Sequence, residues 1–330
     1  MELTLNEAHA LARDAMRTVG HDKNEARIIA DHLIGCELRG QDYGGLARAL
    51  SIIERIQARP EGRKPVSIVK ETTVSVLLDG GDQAGYLAAH RATTMGIEKA
   101  KSHGIAIAGV ANTWYTGMFA HYMEMATAEG LVGMAAGSSD WRVAPVGSSE
   151  ARFGTNPIAF GFPSEDEPVI MDAGVSSIMM SEATLARRLE QKLEPGIAWT
   201  SDGTPTQDPT EGLAGAFAVW GSGKGSALGA TIQLFGLLAG GLVKPDPLSD
   251  CSLFLMFLKP DLLVGETQLR RNVSEYAEAL RNARALDPEH PPRMPFDRAL
   301  AERRQRLSAG KIEVADHVVM RLREINARPQ

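Results

Sequence analysis

Apolar residues recur at helical spacing through the N-terminal part of the chain. Leu5, Ala8, Leu11 and Ala12 form one stripe, and Thr4 followed by Glu7 has the capping-box spacing that opens a helix. Asp22 and Glu25 repeat that spacing ahead of Ile28, Ile29, Leu33 and Ile34, and the pattern stops at Arg39-Gly40. A loop over 40–45 leads into a third helix, Leu46–Ala58, which ends before Pro60 because a residue ahead of proline is pushed out of helical conformation. After residue 72 the texture changes. Residues 73–78 are β-branched and close on Asp79-Gly80-Gly81, as a strand does, and a long helix over 83–103 stops at Gly104, whose missing Cβ suits a left-handed cap.

The alternation continues with a strand at 105–110, a helix at 118–129 closed by Gly130, and a strand at 131–136. Residues 157–162 and 169–172 read as buried strands and 182–192 as a helix, followed by a polar, turn-rich stretch at 195–209 and a glycine-rich segment at 221–229. The apolar run 228–243 falls short of the roughly 20 residues that span a bilayer and reads as a buried helix. A strand at 253–258, a charged helix at 266–285, a proline-rich connector at 288–295 and a last basic helix complete the chain. This is an α/β pattern, with helix-rich ends around a mixed middle.

Composition narrows the function classes. With 330 residues, 44% of them hydrophobic, the chain can bury a substantial core. A net charge of -6, with its Lys and Arg scattered, leaves no basic face for a nucleic-acid backbone, so nucleic acid is not an expected partner. Cys36 and Cys251 stand far apart, which argues for two buried thiols in a reducing compartment. Neither a disulfide framework nor a zinc site is suggested. The N-terminus lacks the basic-then-apolar run of a signal peptide, so a cytoplasmic protein without a membrane association is expected.

The candidate chemistry is spread over short segments. Gly221-Ser222-Gly223-Lys224-Gly225-Ser226 can expose backbone N–H groups beside a lysine, as a phosphate cradle does. It fails the P-loop pattern, since Gly225 follows Lys224 and Ala218 stands where the first glycine belongs, and its spacing is not G-x-G-x-x-G. A tight loop before a buried helix is the competing reading. Gly154-Thr155-Asn156-Pro157 is either a structural turn or a turn that leaves two polar groups free. Asp172, in Met171-Asp172-Ala173-Gly174, ends a strand and either lines a site or caps a helix. His121, with Met118, Tyr122 and Met125 at helical spacing, reads as a packed histidine, and the other histidines do not cluster. No metal-ligand spacing and no Ser-His-Asp or Cys-His arrangement is visible.

Together these segments resemble the malate/L-lactate dehydrogenase family of the second, non-Rossmann type, which includes ureidoglycolate, sulfolactate and diketogulonate dehydrogenases and cyclic-imine carboxylate reductases. The match runs through Arg39-Gly40, Arg48, Asp79-Gly80, 110–117, Gly130, Ala144-Pro145-Val146-Gly147, Gly154-Thr155-Asn156-Pro157, Met171-Asp172-Ala173, 202–209 and Lys224-Gly225. The resemblance implies a helical domain built from both chain ends (1–72 and 263–330) around an α/β cofactor-binding domain (73–262), with homodimers sharing their sites. It implies NAD or NADP held by Ser139, Asn156, Asp172, Ala173, Gly174, Lys224 and Asp297, with Lys224 charging the pyrophosphate region. Arg48 matches the arginine that grips a small substrate carboxylate, for which its planar fork is suited.

The departures carry equal weight. Where the family has Ser-His-Gly the chain has Tyr43-Gly44-Gly45, and where it has Asn-His-x-Gly the chain has Trp114-Tyr115-Thr116-Gly117. Its Pro-Gly-Glu motif becomes Pro295-Phe296-Asp297. Hydride reduction of a carbonyl or imine requires a proton donor within hydrogen-bonding reach. Tyr115 is the first candidate and Tyr43 the second, since a phenol with a reference pKa of about 10 is protonated at neutral pH. Acting as a base in the oxidation direction would require a nearby cation. Either ring alternatively fills the space of the lost histidine. The expectation is a nicotinamide-dependent oxidoreductase of small 2-oxo, 2-hydroxy or imino acids. Its rivals are the same fold with diverged chemistry, and a dinucleotide-binding protein without turnover.

Overall fold

The computed structural model describes residues 1–188 and 190–327. A short strand β1 (Glu2–Thr4) leads into α1 (Leu5–Arg17), α2 (Lys23–Leu38) and α3 (Leu46–Ala58), with a single 3-10 turn at Asp42–Gly44 before α3. Both expected capping boxes form: Thr4 and Asp22 accept first-turn N–H groups while Glu7 and Glu25 bond back to the cap backbone. There follow β2 (Ser67–Glu71), β3 (Ser75–Ala84), α4 (Gly85–His103), β4 (Ile105–Trp114), α5 (Phe119–Ala128), β5 (Val132–Ser138), β6 (Val143–Ala144), β7 (Ile158–Phe162) and β8 (Val169–Ala173). The remainder is α6 (Met180–Arg188), β9 (Ala198–Trp199), α7 (Pro209–Ala214), β10 (Ala216–Ala218), α8 (Ser222–Leu238), β11 (Cys251–Leu258), α9 (Glu266–Arg281), α10 (Asp297–Ala309), β12 (Lys311–Glu313) and α11 (Asp316–Asn326).

Seven strands form the main sheet in the order β2-β3-β4-β11-β5-β7-β8; only β3 and β4 pair in parallel, joined by α4. The period-2 alternation of β5 divides the layers. Ala135 points into a core with α4 and α5, and Ala136 into a core with Ile232 of α8. A small second sheet, β6-β10-β9, lies beside a separate cluster of Ala183, Leu193, Ala198 and Phe217. The helical layer draws on both ends of the chain. Val318, Val319, Leu322 and Ile325 of α11 share one core with α1, α2 and α3, and β12 pairs with β1, Leu3 opposite Ile312. No helix among the described residues is long and apolar enough to cross a membrane.

Several expected boundaries shift, each for a readable reason. The strand at 73–78 does not end at Asp79-Gly80-Gly81 but bulges there and continues to Ala84, so α4 begins at Gly85 rather than at 83. Asp79 Oδ1 accepts from Gly81 N–H at 2.8 Å and from Asn112 Nδ2 at 2.7 Å, and a Cβ on Gly80 would sit 2.7 Å from Asn112 O. Strand β4 likewise runs on to Trp114. Strand β2, exposed at every position, has no alternation to read. The last basic helix is two helices, parted by Gly310 at φ +68° and by β12. The expected buried helix α8 buries only Gly225, Gly229, Ile232 and Gly236, while Leu234 and Leu238 are 64% and 68% exposed. Glycines on its inner face permit close approach to the sheet, and the apolar outer stripe is left uncovered.

Candidate active site

Helix α2 ends in Glu37, Leu38 and Arg39. Arg39 donates to Gly35 O at 2.6 Å and pairs with Glu124 of α5, which also holds Arg303 of α10 at 3.0 Å. Glu37 turns the other way, its Oε1 accepting Leu46 N–H at 2.6 Å from the first turn of α3; burial pushes its carboxyl up to about 7. Arg48 follows in that turn, half-buried. Among the described residues, Arg39 and Arg55 are neutralised by Glu124 and Asp82, whereas Arg48 pairs with no carboxylate and lies 4.6 Å over the Tyr115 ring.

Tyr115 is held from several sides. It sits just beyond β4 in the left-handed region at φ +51°. The neighbouring Trp114 indole donates to Asp82 O at 3.0 Å and lies beneath Arg55 at 5.3 Å. Gly117, at φ +79°, leaves no room for a side chain: a Cβ there would overlap His32 Nε2 and come within 2.6 Å of Tyr86.

The expectation that the histidines do not cluster is overturned, because packing of α2 against α5 brings the His32 and His121 rings to 4.5 Å. Burial drives the His121 pKa down to about 4 and that of His32 well below the usual imidazole range. His32 Nε2 accepts Met118 N–H at 2.8 Å, so that nitrogen is not open to a substrate proton. His121 is the packed residue expected. Tyr43, 37% exposed, has its phenol pushed up by burial and by Glu182, Cys36 and Asp172, against a lowering by Arg48.

Asp172, at the end of β8, spends its carboxylate on the first turn of α5. Its Oδ2 accepts Ala120 N–H at 2.8 Å, and the Phe119 N–H beside it also favours the charged form. Burial outweighs these bonds and raises the group from 3.8 to about 6. Because the folded value exceeds the unfolded one, the native state holds this proton more tightly and stability falls as pH rises from about 4 to about 6, by roughly 3 kcal/mol. Asp172→Asn, which keeps an acceptor oxygen, is expected to flatten that decline in urea unfolding measured across pH 4–7. A curve parallel to that of the parent protein would refute this assignment.

The remaining expected residues divide into three groups. Ala173 is exposed and Gly174 and Ser139 are half-buried, the Ser139 hydroxyl making only a long 3.4 Å contact to Asp140 O. Trp220 N–H donates to Val175 O at 2.7 Å, tying the start of α8 to the chain just beyond Asp172, Ala173 and Gly174. There Gly221 takes φ +67°, no side chain caps the helix, and residues 220–224, Lys224 among them, are exposed. Gly225 is obligatory, since a Cβ would overlap Trp220 O. Asn156 faces inward instead: it is fully buried, and its Nδ2 donates to Gly229 O at 2.8 Å and to Gln233 Oε1 at 3.0 Å, bracing α8 from behind. Asp297 is occupied by Arg281, at 2.9 and 2.6 Å, and by Met294 N–H at 2.9 Å. Before it, Phe296 takes φ +77°, a conformation glycine adopts freely, and packs against the sheet core with Arg39 5.8 Å from its ring centre.

Sequence reasoning missed Glu37, His32 and Tyr86, while Cys36 is the buried thiol expected. For Glu37 a signal existed, because it stands at i+4 and i+3 from Leu33 and Ile34 on the apolar stripe of α2, where a solvated acid does not belong. Comparison with known proteins is consistent throughout the chain. A family model described as malate/L-lactate dehydrogenase matches residues 3–323. Hydroxycarboxylate dehydrogenase B of Escherichia coli is 30% identical over 318 residues, 92% of this chain and 87% of that protein. Delta(1)-pyrroline-2-carboxylate reductase 1 of Burkholderia ambifaria is 31% identical over 236 residues, covering 71% and 69%. The solved structure of a dehydrogenase from Sinorhizobium meliloti superposes with a TM-score of 0.90 at 28% identity, covering 99% of both chains.

Proposed function

Since the chain belongs to the malate/L-lactate dehydrogenase family, we propose that it transfers a hydride between a nicotinamide cofactor and a small 2-oxo or 2-hydroxy acid, or a related imino acid. The observation that carries this reading is the half-buried Arg48 guanidinium, unpaired among the described residues and seated over the Tyr115 ring. A carboxylate arriving there meets a bidentate donor in partly desolvated surroundings, which fixes the 2-carbon beside the phenol. Tyr115 then donates a proton to the oxygen or nitrogen of the reduced substrate, with Tyr43 the second candidate donor.

NAD or NADP fits the residues present. An uncapped helix N-terminus with an exposed lysine suits a pyrophosphate, and Ser139 has a hydroxyl without a strong partner. Ser139, Ala173, Gly174 and Lys224 would hold the dinucleotide, with Asp172 and Asn156 bracing the elements behind them. When bound it supplies or accepts the hydride. The exposed apolar side chains Trp220, Leu234, Leu238, Leu242 and Val243 favour a homodimer with this stripe covered.

Titration with NADH and with NADPH, followed by fluorescence, tests the proposal. Binding of one of them is expected, weakened about 10- to 100-fold in Lys224→Ala, the value of a charge-assisted contact. No binding of either coenzyme would remove the reading. The occupied His32 nitrogen and the absence of the usual histidines favour, as a second reading, a dinucleotide-binding protein without turnover. A panel of 2-oxo acids, 2-hydroxy acids and cyclic imines separates the two.

A further inference from the structure

Glu37 is 1% exposed, and one of its oxygens is spent on a single backbone group outside its own helix, Leu46 N–H at 2.6 Å. The other oxygen is buried without a partner among the described residues. Gly45, immediately before Leu46, presses against the carboxylate so closely that a Cβ there would overlap it. Arg48 N–H in turn donates to Gly45 O at 2.9 Å. The chain of contact therefore runs from Glu37 through Gly45 and Leu46 to the backbone of Arg48. The far side of the same loop is held from the C-terminal part of the chain. Arg306 of α10 donates to the Glu37 carbonyl, pairs with Glu302 at 2.7 Å and stands 3.5 Å from Asp42.

A buried carboxylate with one satisfied oxygen is a costly way to cap a helix for stability alone, since a short Ser or Asp at the cap position would serve with less desolvation. A long arm reaching from α2 does something a local cap does not: it fixes the position of the first turn of α3 relative to α2 and the Tyr43 loop. We propose that Glu37 is a positioning residue for Arg48, clamping the start of α3 so that the guanidinium stays over the Tyr115 ring, where the substrate carboxylate is received. This rests on the function proposed above.

The test compares Glu37→Gln, which keeps the length and the acceptor oxygen, with Glu37→Ala and with Glu37→Asp, which withdraws the acceptor by one methylene. In Glu37→Ala, KM for the best carboxylate of the panel is expected to rise about 10-fold with kcat within about twofold and coenzyme affinity unchanged. Glu37→Gln is expected to restore KM, and Glu37→Asp to fall between. Crystal structures of the variants report the Arg48 to Tyr115 separation independently of any substrate, with 4.6 Å expected to persist in the Gln variant and to be lost in the Ala variant. A protein that turns over none of the panel overturns the function, and the separation alone then decides the clamp. Should Glu37→Ala fail to fold, Glu37→Asp carries both readouts. Unchanged KM with Arg48 still over Tyr115 in a folded Ala or Asp variant would overturn the proposal, as would a loss of stability with no change in either.

Discussion

Arg48→Ala is expected to lower kcat/KM on the best carboxylate substrate by about 30- to 4,000-fold, the range for truncating one partner of a desolvated, hydrogen-bonded charge pair. Most of the loss should fall in KM, because the carboxylate is gripped in both ground and transition states. Lysine is not expected to substitute: it offers a point charge in place of a planar fork, and the stacking on Tyr115 at 4.6 Å is lost with the guanidinium. Coenzyme binding, read by the same fluorescence titration, should be unaffected. A loss smaller than about threefold would mean that Arg48 does not receive the substrate.

The second large effect belongs to Tyr115→Phe. This change keeps the ring beneath Arg48 and the left-handed backbone at φ +51°, and deletes only the hydroxyl. Loss of a positioned proton donor typically removes about 10²- to 10⁴-fold from kcat, with KM little altered. Tyr43→Phe should cost much less, since Tyr43 sits in the more exposed 3-10 turn. If Tyr115→Phe turns over at the parent rate and Tyr43→Phe does not, the donor is Tyr43. If neither loses activity, neither phenol is the proton donor.

Much of the site could be named from sequence, and its chemistry much less so. Arg48, Tyr43, Tyr115 and Asp172 stand out by type and by motif, and the Arg48 guanidinium lies over the Tyr115 ring. The direction in which a side chain is spent was not legible. Asp172 and Asn156 look alike in sequence as polar groups at turns, yet one caps α5 and the other braces α8. Asp297 stands in the motif expected beside the nucleotide, and Arg281, sixteen residues away, takes its carboxylate. Phe296, standing where the family motif has glycine, takes a backbone conformation suited to glycine at φ +77°.

Sequence alone determined those features whose energetics close within one or two helical turns: the capping boxes at Thr4 and Asp22, and the left-handed stops at Gly104 and Gly130. The order of its motifs also sufficed to indicate the family. Tertiary structure decided the rest: the bulge that carries β3 past Gly81, the uncovered face of α8, the meeting of His32 with His121, and the reach of Glu37 to Leu46. The physical reason is that a buried polar group must find a partner, and which partner depends on what other elements bring within about 3 Å of it. Local spacing along the chain contains no record of that.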